Sequence, residues 1–112
     1  MAERTSNGWP VLDGLTHLCD GRVYGVGGSE ISWEAFTSPA PADEVLAAYR
    51  SRLAEVKAER SGDAWLFRAS DGEGTSRVLE IRPTPPPVVR DCPAAPSATR
   101  TYVMSSRMMQ RR

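Results

Sequence analysis

The chain has 112 residues, with 14 acidic and 14 basic side chains and 40% hydrophobic residues. This length suits one domain with a modest core, and the hydrophobic content is too high for a wholly disordered chain. No apolar run approaches the length of a membrane span, and the first residues lack the apolar centre of a signal peptide. These features predict a cytoplasmic protein, or a mature form that restarts at Met1.

The first 20 residues are predicted to form a loosely structured N-terminal arm, because turn-prone pairs occur at 7–8, 9–10 and 13–14. Two strands are predicted next, over 22–26 and 30–37, the second from its strict alternation of apolar and polar side chains. The glycines between these strands fit neither spacing of a phosphate-binding loop and predict a turn.

A helix is predicted over residues 41–60. Prolines stand at its start, Asp43 and Glu44 follow where the helix dipole favours carboxylates, and Gly62 can terminate it. Its apolar stripe has helical period and is expected to face a sheet; the stripe comprises Val45, Leu46, Tyr49, Leu53 and Val56.

Two further strands are predicted over 64–70 and 76–82, joined by the glycine-rich turn 71–74. The proline-rich segment 83–97 is then either a stiff connector or a PxxP ligand for an aromatic groove, and the connector is favoured. A last strand is predicted over 99–105. The expected fold is α+β, one main helix packed on a mostly antiparallel sheet of four to five strands, within a single domain at 21–105.

The C-terminal segment 106–112 is basic, whereas every acidic residue lies at or before Asp91. Such a tail can bind an acidic partner, and a solvated chain end is the alternative. The candidate partner-binding residues are Arg107, Arg111 and Arg112. We expect this tail to fray and to be dispensable for folding.

The run FTSPAPADEVLAAYRSRL, which begins at Phe36, resembles a pattern of small bacterial envelope and lipoprotein α+β domains. In that pattern a strand ends in an aromatic residue and Thr or Ser. A helix then opens with Pro or Ser, two acids and Val, and places Tyr one turn on. The resemblance covers about residues 30–82. It implies a non-enzymatic role at the envelope and assigns no functional residue.

Cys19 and Cys92 are the only cysteines, and they bracket most of the predicted core. A disulfide between them, in an oxidising compartment, is favoured over two free thiols in the cytosol. A zinc site built from these cysteines with His17, Asp20 and Asp91 is disfavoured, because the spacings are too tight. We expect no metal and no cofactor.

Catalytic residues are not predicted. His17 is the sole histidine, and no nucleophile motif accompanies it. The acids Glu30, Glu34 and Glu80 could align across strands for acid–base work, but a solvated sheet face is favoured. A second set, Trp33, Trp65, Phe67 and Tyr102, could form an aromatic binding surface for nucleic acid or sugar. Core packing is favoured, because binding of a single strand needs interleaved basic residues and these strands carry as many acids as bases.

The sequence therefore favours a small non-catalytic binding or accessory domain, at the bacterial envelope if the cysteines are bonded and in the cytoplasm otherwise. The alternative is a cytoplasmic regulator or inhibitor that docks a protein by a sheet edge or by its tail, and a small enzyme ranks third. The expected partner is a protein, with no specific signal for nucleic acid, and the expected state is a monomer or weak dimer.

Overall fold

The computed structural model describes residues 4–110, and it opens with a small hairpin. Strand β1 (Thr5–Ser6) pairs with β2 (Trp9–Pro10). The turn between them is possible because Asn7 and Gly8 both adopt positive φ, at 51° and 86°, a region that glycine enters freely and asparagine more readily than most residues. The expectation that residues 1–20 are loosely structured is therefore wrong for this segment.

Six further strands form one antiparallel sheet in the order β3-β4-β8-β7-β6-β5. Their bounds are β3 Thr16–Tyr24, β4 Ser29–Ser38, β5 Ala58–Ser61, β6 Ala64–Ser70, β7 Thr75–Arg82 and β8 Thr101–Gln110. In the part of the chain that the structure describes, a single α-helix packs against this sheet, which confirms the α+β class and the antiparallel arrangement. The sheet has one or two strands more than the four to five predicted.

The additional strand content comes from segments that sequence patterns assigned to other structures. Strand β3 begins at Thr16 rather than at 22, so it includes the last five residues of the predicted arm. The first three of the four residues of strand β5 fall within the predicted helix 41–60. This strand pairs with β6 across a two-residue turn in which Gly62 adopts a φ of 62°, and a Gly-Asp pair at such a turn is typical of a hairpin.

Helix α1 (Ala42–Arg52) is shorter than the predicted 41–60. It begins after Pro41, and Asp43 and Glu44 lie in its first turn as expected. It ends where Leu53 leaves helical geometry with a φ of −118° and a ψ of 47°. The chain then turns and enters β5, because the pairing of β5 with β6 supplies the backbone hydrogen bonds that more helix would have supplied.

The core lies between α1 and the face of the sheet that we call the inner face. The helix contributes Val45, Leu46 and Tyr49, and the sheet contributes five buried side chains: Phe36, Phe67, Leu79, Ile81 and Val103. Trp9 of the hairpin joins this cluster. The Tyr49 hydroxyl donates a hydrogen bond to the Pro10 carbonyl at 2.8 Å, and burial raises the pKa of Tyr49. This bond ties the helix to the hairpin.

The prediction that Tyr49, Leu53 and Val56 face the sheet holds fully only for Tyr49. Leu53 and Val56 lie beyond the helix and are partly buried against the core. We therefore expect Leu53→Ala to cost less than the roughly 2–5 kcal/mol typical of a fully buried leucine. Urea denaturation of this variant beside Leu46→Ala, whose side chain is buried, measures the difference. A larger loss at Leu53 than at Leu46 would contradict this burial pattern.

The opposite side of the sheet, the outer face, is partly covered by the connector between β7 and β8. The connector contains a short 3₁₀ turn at Pro87–Asp91. The next residue, Cys92, forms a disulfide with Cys19 of β3, with the two Cα atoms 5.8 Å apart. Ala35, which lies opposite Cys19 on β4, is fully buried. The disulfide therefore holds the connector over this end of the outer face.

The segment predicted to fray is largely ordered. Ser106–Gln110 continue β8, which lies between β4 and β7 and pairs with both. The expectation that these residues fray is therefore wrong. Arg111 and Arg112 lie outside the described residues.

Candidate functional site

The candidate site lies where β3 and β4 meet the N-terminal hairpin on the inner face. We call its side chains the polar cluster, which comprises Ser6, His17, Asp20, Glu34 and Ser105. Ser6 donates a hydrogen bond to Glu34 Oε1 and shares a second with the Ser105 hydroxyl at 2.6 Å. His17 Nδ1 lies 2.7 Å from Glu34 Oε2, and His17 Nε2 lies 3.4 Å from the Asp20 carboxylate. Glu34 therefore connects the buried serines to the exposed histidine.

A bulge in β3 explains why His17 and Asp20 share a face. The register with β4 shifts between His17 and Cys19, and one extra residue reverses the alternation of side chains. His17 pairs with Phe36 and Asp20 pairs with Glu34, so both lie on the inner face. Cys19 is left on the outer face, where it reaches Cys92.

The hairpin is fastened onto the polar cluster by Asn7. Its amide nitrogen donates to the Ser105 carbonyl at 3.2 Å and to the Ser105 hydroxyl at 3.1 Å. Its amide oxygen accepts a hydrogen bond from Ser32 at 3.0 Å. The same turn that requires positive φ at Asn7 thus aims its side chain at the sheet.

An open groove of about 390 Å³ runs beside this cluster. It is mostly polar, and its lining residues are Asn7, Asp20, Gly21, Arg22, Ser32, Trp33 and Glu34. Arg22 pairs with Glu30 at 3.1 Å. The groove is therefore lined by two carboxylates, Asp20 and Glu34, and by the guanidinium of Arg22.

The polar cluster is not arranged as a Ser–His–acid triad. Ser6 donates to a carboxylate instead of to the imidazole, and it is only 5% exposed. Both ring nitrogens of His17 face carboxylates, so neither is placed to take a proton from a serine. The arrangement fits fastening of the hairpin better than attack on a substrate.

The described residues 4–110 hold no group of three or more His, Cys, Asp or Glu side chains placed to bind a metal ion. The disfavoured zinc arrangement would have needed Cys19 and Cys92 as thiolates, and both sulfurs are in the disulfide. Within the same range, no helix has the length and apolarity to cross a membrane.

The acidic and aromatic sets considered from sequence are each divided between the two faces. Glu30 and Glu34 lie on the inner face, whereas Glu80 lies on the outer face opposite Met104. The aromatic residues divide equally: Trp65 and Phe67 face the core, and Trp33 and Tyr102 point to the outer face. Neither set forms one binding surface.

Of the predicted partner-binding arginines, Arg107 is described. It is exposed on the inner face of β8, opposite Arg77 of β7. Its guanidinium lies 3.1 Å from the sulfur of Met109. Its role in partner binding stays a prediction, as do those of Arg111 and Arg112.

An apolar row crosses the part of the outer face that lies away from the disulfide. Val23, Ile31 and Met108 stand in direct cross-strand register, and their exposed fractions are 53%, 36% and 39%. The alternation of Ile31 with polar neighbours was visible in the sequence. That alternation predicted an apolar face that contains Ile31. It did not indicate that the connector leaves this end of the outer face exposed.

Strand β3 forms one edge of the sheet. Within residues 4–110 no strand pairs with the edge of β3 that faces away from β4, and most of its residues from Asp20 to Tyr24 are exposed. We call this unpaired edge of β3 the open edge.

Comparisons of the chain with protein-family models, with curated proteins and with solved structures find no match. The resemblance of the Phe36 segment to envelope domains therefore stays a prediction from sequence.

Proposed function

We propose that this protein is a small non-catalytic binding domain that works in an oxidising compartment, at the bacterial cell envelope. The observation that carries the proposal is the Cys19–Cys92 disulfide, which joins the sheet edge to the connector. Disulfides persist in secreted and envelope proteins and are rare where thiols are kept reduced. A small domain with a long irregular connector gains most from such a bond.

The proposal that the domain is non-catalytic is supported by the hydrogen bonds within the polar cluster. The groups that would act as nucleophile and base, Ser6 and His17, are each engaged by Glu34. The Ser6 bond ties the hairpin to β4 and the His17 contact joins β3 to β4, so redirecting Ser6 for chemistry would release the hairpin. The groove beside them is open, and charged and polar side chains line it. It therefore resembles a recognition surface more than the deep apolar pocket that is typical of small-molecule sites.

A second candidate is a cytoplasmic regulator or inhibitor that docks a protein. The open edge favours it, because a strand with unpaired backbone groups can accept a strand from another protein. The basic residues Arg107, Arg111 and Arg112 would then add an attraction to acidic partners.

The compartment is tested with protein isolated from its native host under non-reducing conditions. We expect intact mass to be unchanged by an alkylating reagent, and to rise by two alkyl groups after reduction. Cell fractionation of the same tagged protein should place it outside the cytoplasm. If both thiols alkylate without reduction and the protein fractionates with the cytoplasm, the second candidate replaces the first.

A further inference from the structure

We propose that the open edge of β3 binds a second copy of the same chain, forming an antiparallel two-fold dimer centred on Gly21. The two six-stranded sheets would join into one continuous sheet. The proposal stands on the direction of the backbone groups of β3 and on the charges of Asp20 and Arg22.

The direction of the backbone groups follows from the β3–β4 hairpin. Gly25 donates a backbone hydrogen bond to Ser29 at 2.9 Å, so its N–H points towards β4. Backbone groups alternate sides along an antiparallel strand, and the pairing is regular from Cys19 to Tyr24. Gly21 and Val23 therefore also bond towards β4, whereas Asp20, Arg22 and Tyr24 direct their N–H and C=O groups to the open edge.

Symmetry then restricts the register of a second copy. A two-fold antiparallel pair must place outward-directed residues opposite one another, so the axis passes through a residue of the strand. An axis at Asp20 would place two carboxylates opposite each other, and an axis at Arg22 would place two guanidinium groups opposite each other. Like charges directly opposite are destabilising. An axis at Gly21 places Asp20 of each copy opposite Arg22 of the other.

The side chains at this position are available for such pairing. Asp20 and Arg22 both lie on the inner face, and their exposed side-chain fractions are 68% and 61%. Arg22 uses its Nε for Glu30, so its terminal nitrogens still have N–H groups to donate. Asp20 stands opposite Glu34 within its own sheet, and the second copy's arginine would offset this like-charge pair.

The residue at this axis, Gly21, has no side chain, and Trp33 leaves no room for one. The Trp33 ring lies over Gly21 so closely that a Cβ there would come within 2.6 Å of it. Two copies of Gly21 can face each other across the axis, with the Trp33 rings covering them on the outer face. The register also brings the exposed Val23 opposite Cys19 of the other copy, which buries apolar surface beside the disulfide.

The bulge sets the length of the interface. Regular pairing extends from Cys19 to Val23 in each copy and stops where the register shifts at His17. This span supplies about four backbone hydrogen bonds, from the two Asp20–Arg22 pairs. So short an interface predicts a weak, reversible dimer.

The test is sedimentation equilibrium of the oxidised protein over a concentration series, with two single variants, Asp20→Arg and Arg22→Asp. We expect wild type to fit a monomer–dimer equilibrium. Each variant places like charges opposite each other twice, and its dissociation constant should rise by at least roughly tenfold. An equimolar mixture of the two variants should form a heterodimer, because every facing pair is then of opposite charge.

Two further variants, Glu55→Arg and Arg100→Asp, make the same kinds of charge change at exposed positions away from the edge and should dimerise as wild type does. Circular dichroism and non-reducing mass establish that all four variants are folded and bonded. Wild type that remains monomeric throughout the series overturns the proposal. So do edge variants that dimerise like wild type, or a mixture of them that forms no heterodimer.

Discussion

Replacing Cys19 and Cys92 together with alanine should lower the free energy of unfolding by about 4 kcal/mol. The bond closes a loop with a sequence separation of 73, and a cross-link of that size removes much of the entropy of the unfolded chain. In the folded state the same bond holds the connector over Ala35, which is fully buried beside Cys19. A loss of this size is a large fraction of the stability of a small domain.

The measurement is urea denaturation of wild type and of the double variant under non-reducing conditions. Wild type treated with a reducing agent should fall to the same midpoint as the double variant, since both lack the bond. Val88→Ala is the matched control: it trims a half-buried side chain of the same connector and leaves the bond intact. Equal midpoints for wild type and the double variant would show that the cross-link contributes nothing to folding.

The parts of the fold that sequence patterns predicted well are those decided by near neighbours. Strands β6 and β7 pair across 71–74, and their apolar alternation and glycine turn lie within 20 residues of one another. The start of α1 was equally local, with prolines and two acids in order. The end of α1 could not be predicted from near neighbours, because the apolar stripe continues to Val56 with helical period. Strand β5 is specified by its pairing with β6 rather than by its own sequence pattern.

The edge of the sheet shows the same limit. Strand β3 contains His17, Asp20, Gly21 and Arg22, and its apolar alternation is too weak to predict a strand starting at Thr16. It forms because β4, a strongly alternating strand, offers ten residues to pair with. Tertiary pairing thus overrides a weak local preference.

The disulfide could be predicted from the sequence, whereas the polar cluster could not, although His17, Asp20 and Glu34 were each considered for other roles. Two cysteines bracketing a core are conspicuous by count alone. The polar cluster depends on contacts between distant residues, such as Ser6 with Ser105 across 99 positions and His17 with Glu34 across 17. Serine and glutamate are common on any surface, so no spacing marks them, and only the fold brings them together.

Deleting residues 106–112 should destabilise the protein severely, in contrast to the deletion of 111–112 alone. The longer deletion removes the second half of β8, a strand inside the sheet. It takes partners from Ser29–Trp33 on β4 and from Thr75–Val78 on β7. Each backbone hydrogen bond contributes a net of about 0.5–1.5 kcal/mol, so losing pairing on both sides costs several kcal/mol, comparable with the whole stability of a small domain.

Thermal and urea unfolding of the two truncated proteins measure this difference, and the deletion of 111–112 is the control because it leaves β8 entire. Hydrogen exchange locates the effect. In the longer deletion, amide protection should fall across 29–33 and 75–78, whereas β6 and the part of β7 beyond Val78 keep their ladder. An unchanged midpoint after deletion of 106–112 would mean that β4 and β7 are held at this end by other contacts. The edge strand β3, whose strand pairing within residues 4–110 is with β4 alone, would then be equally independent of β8.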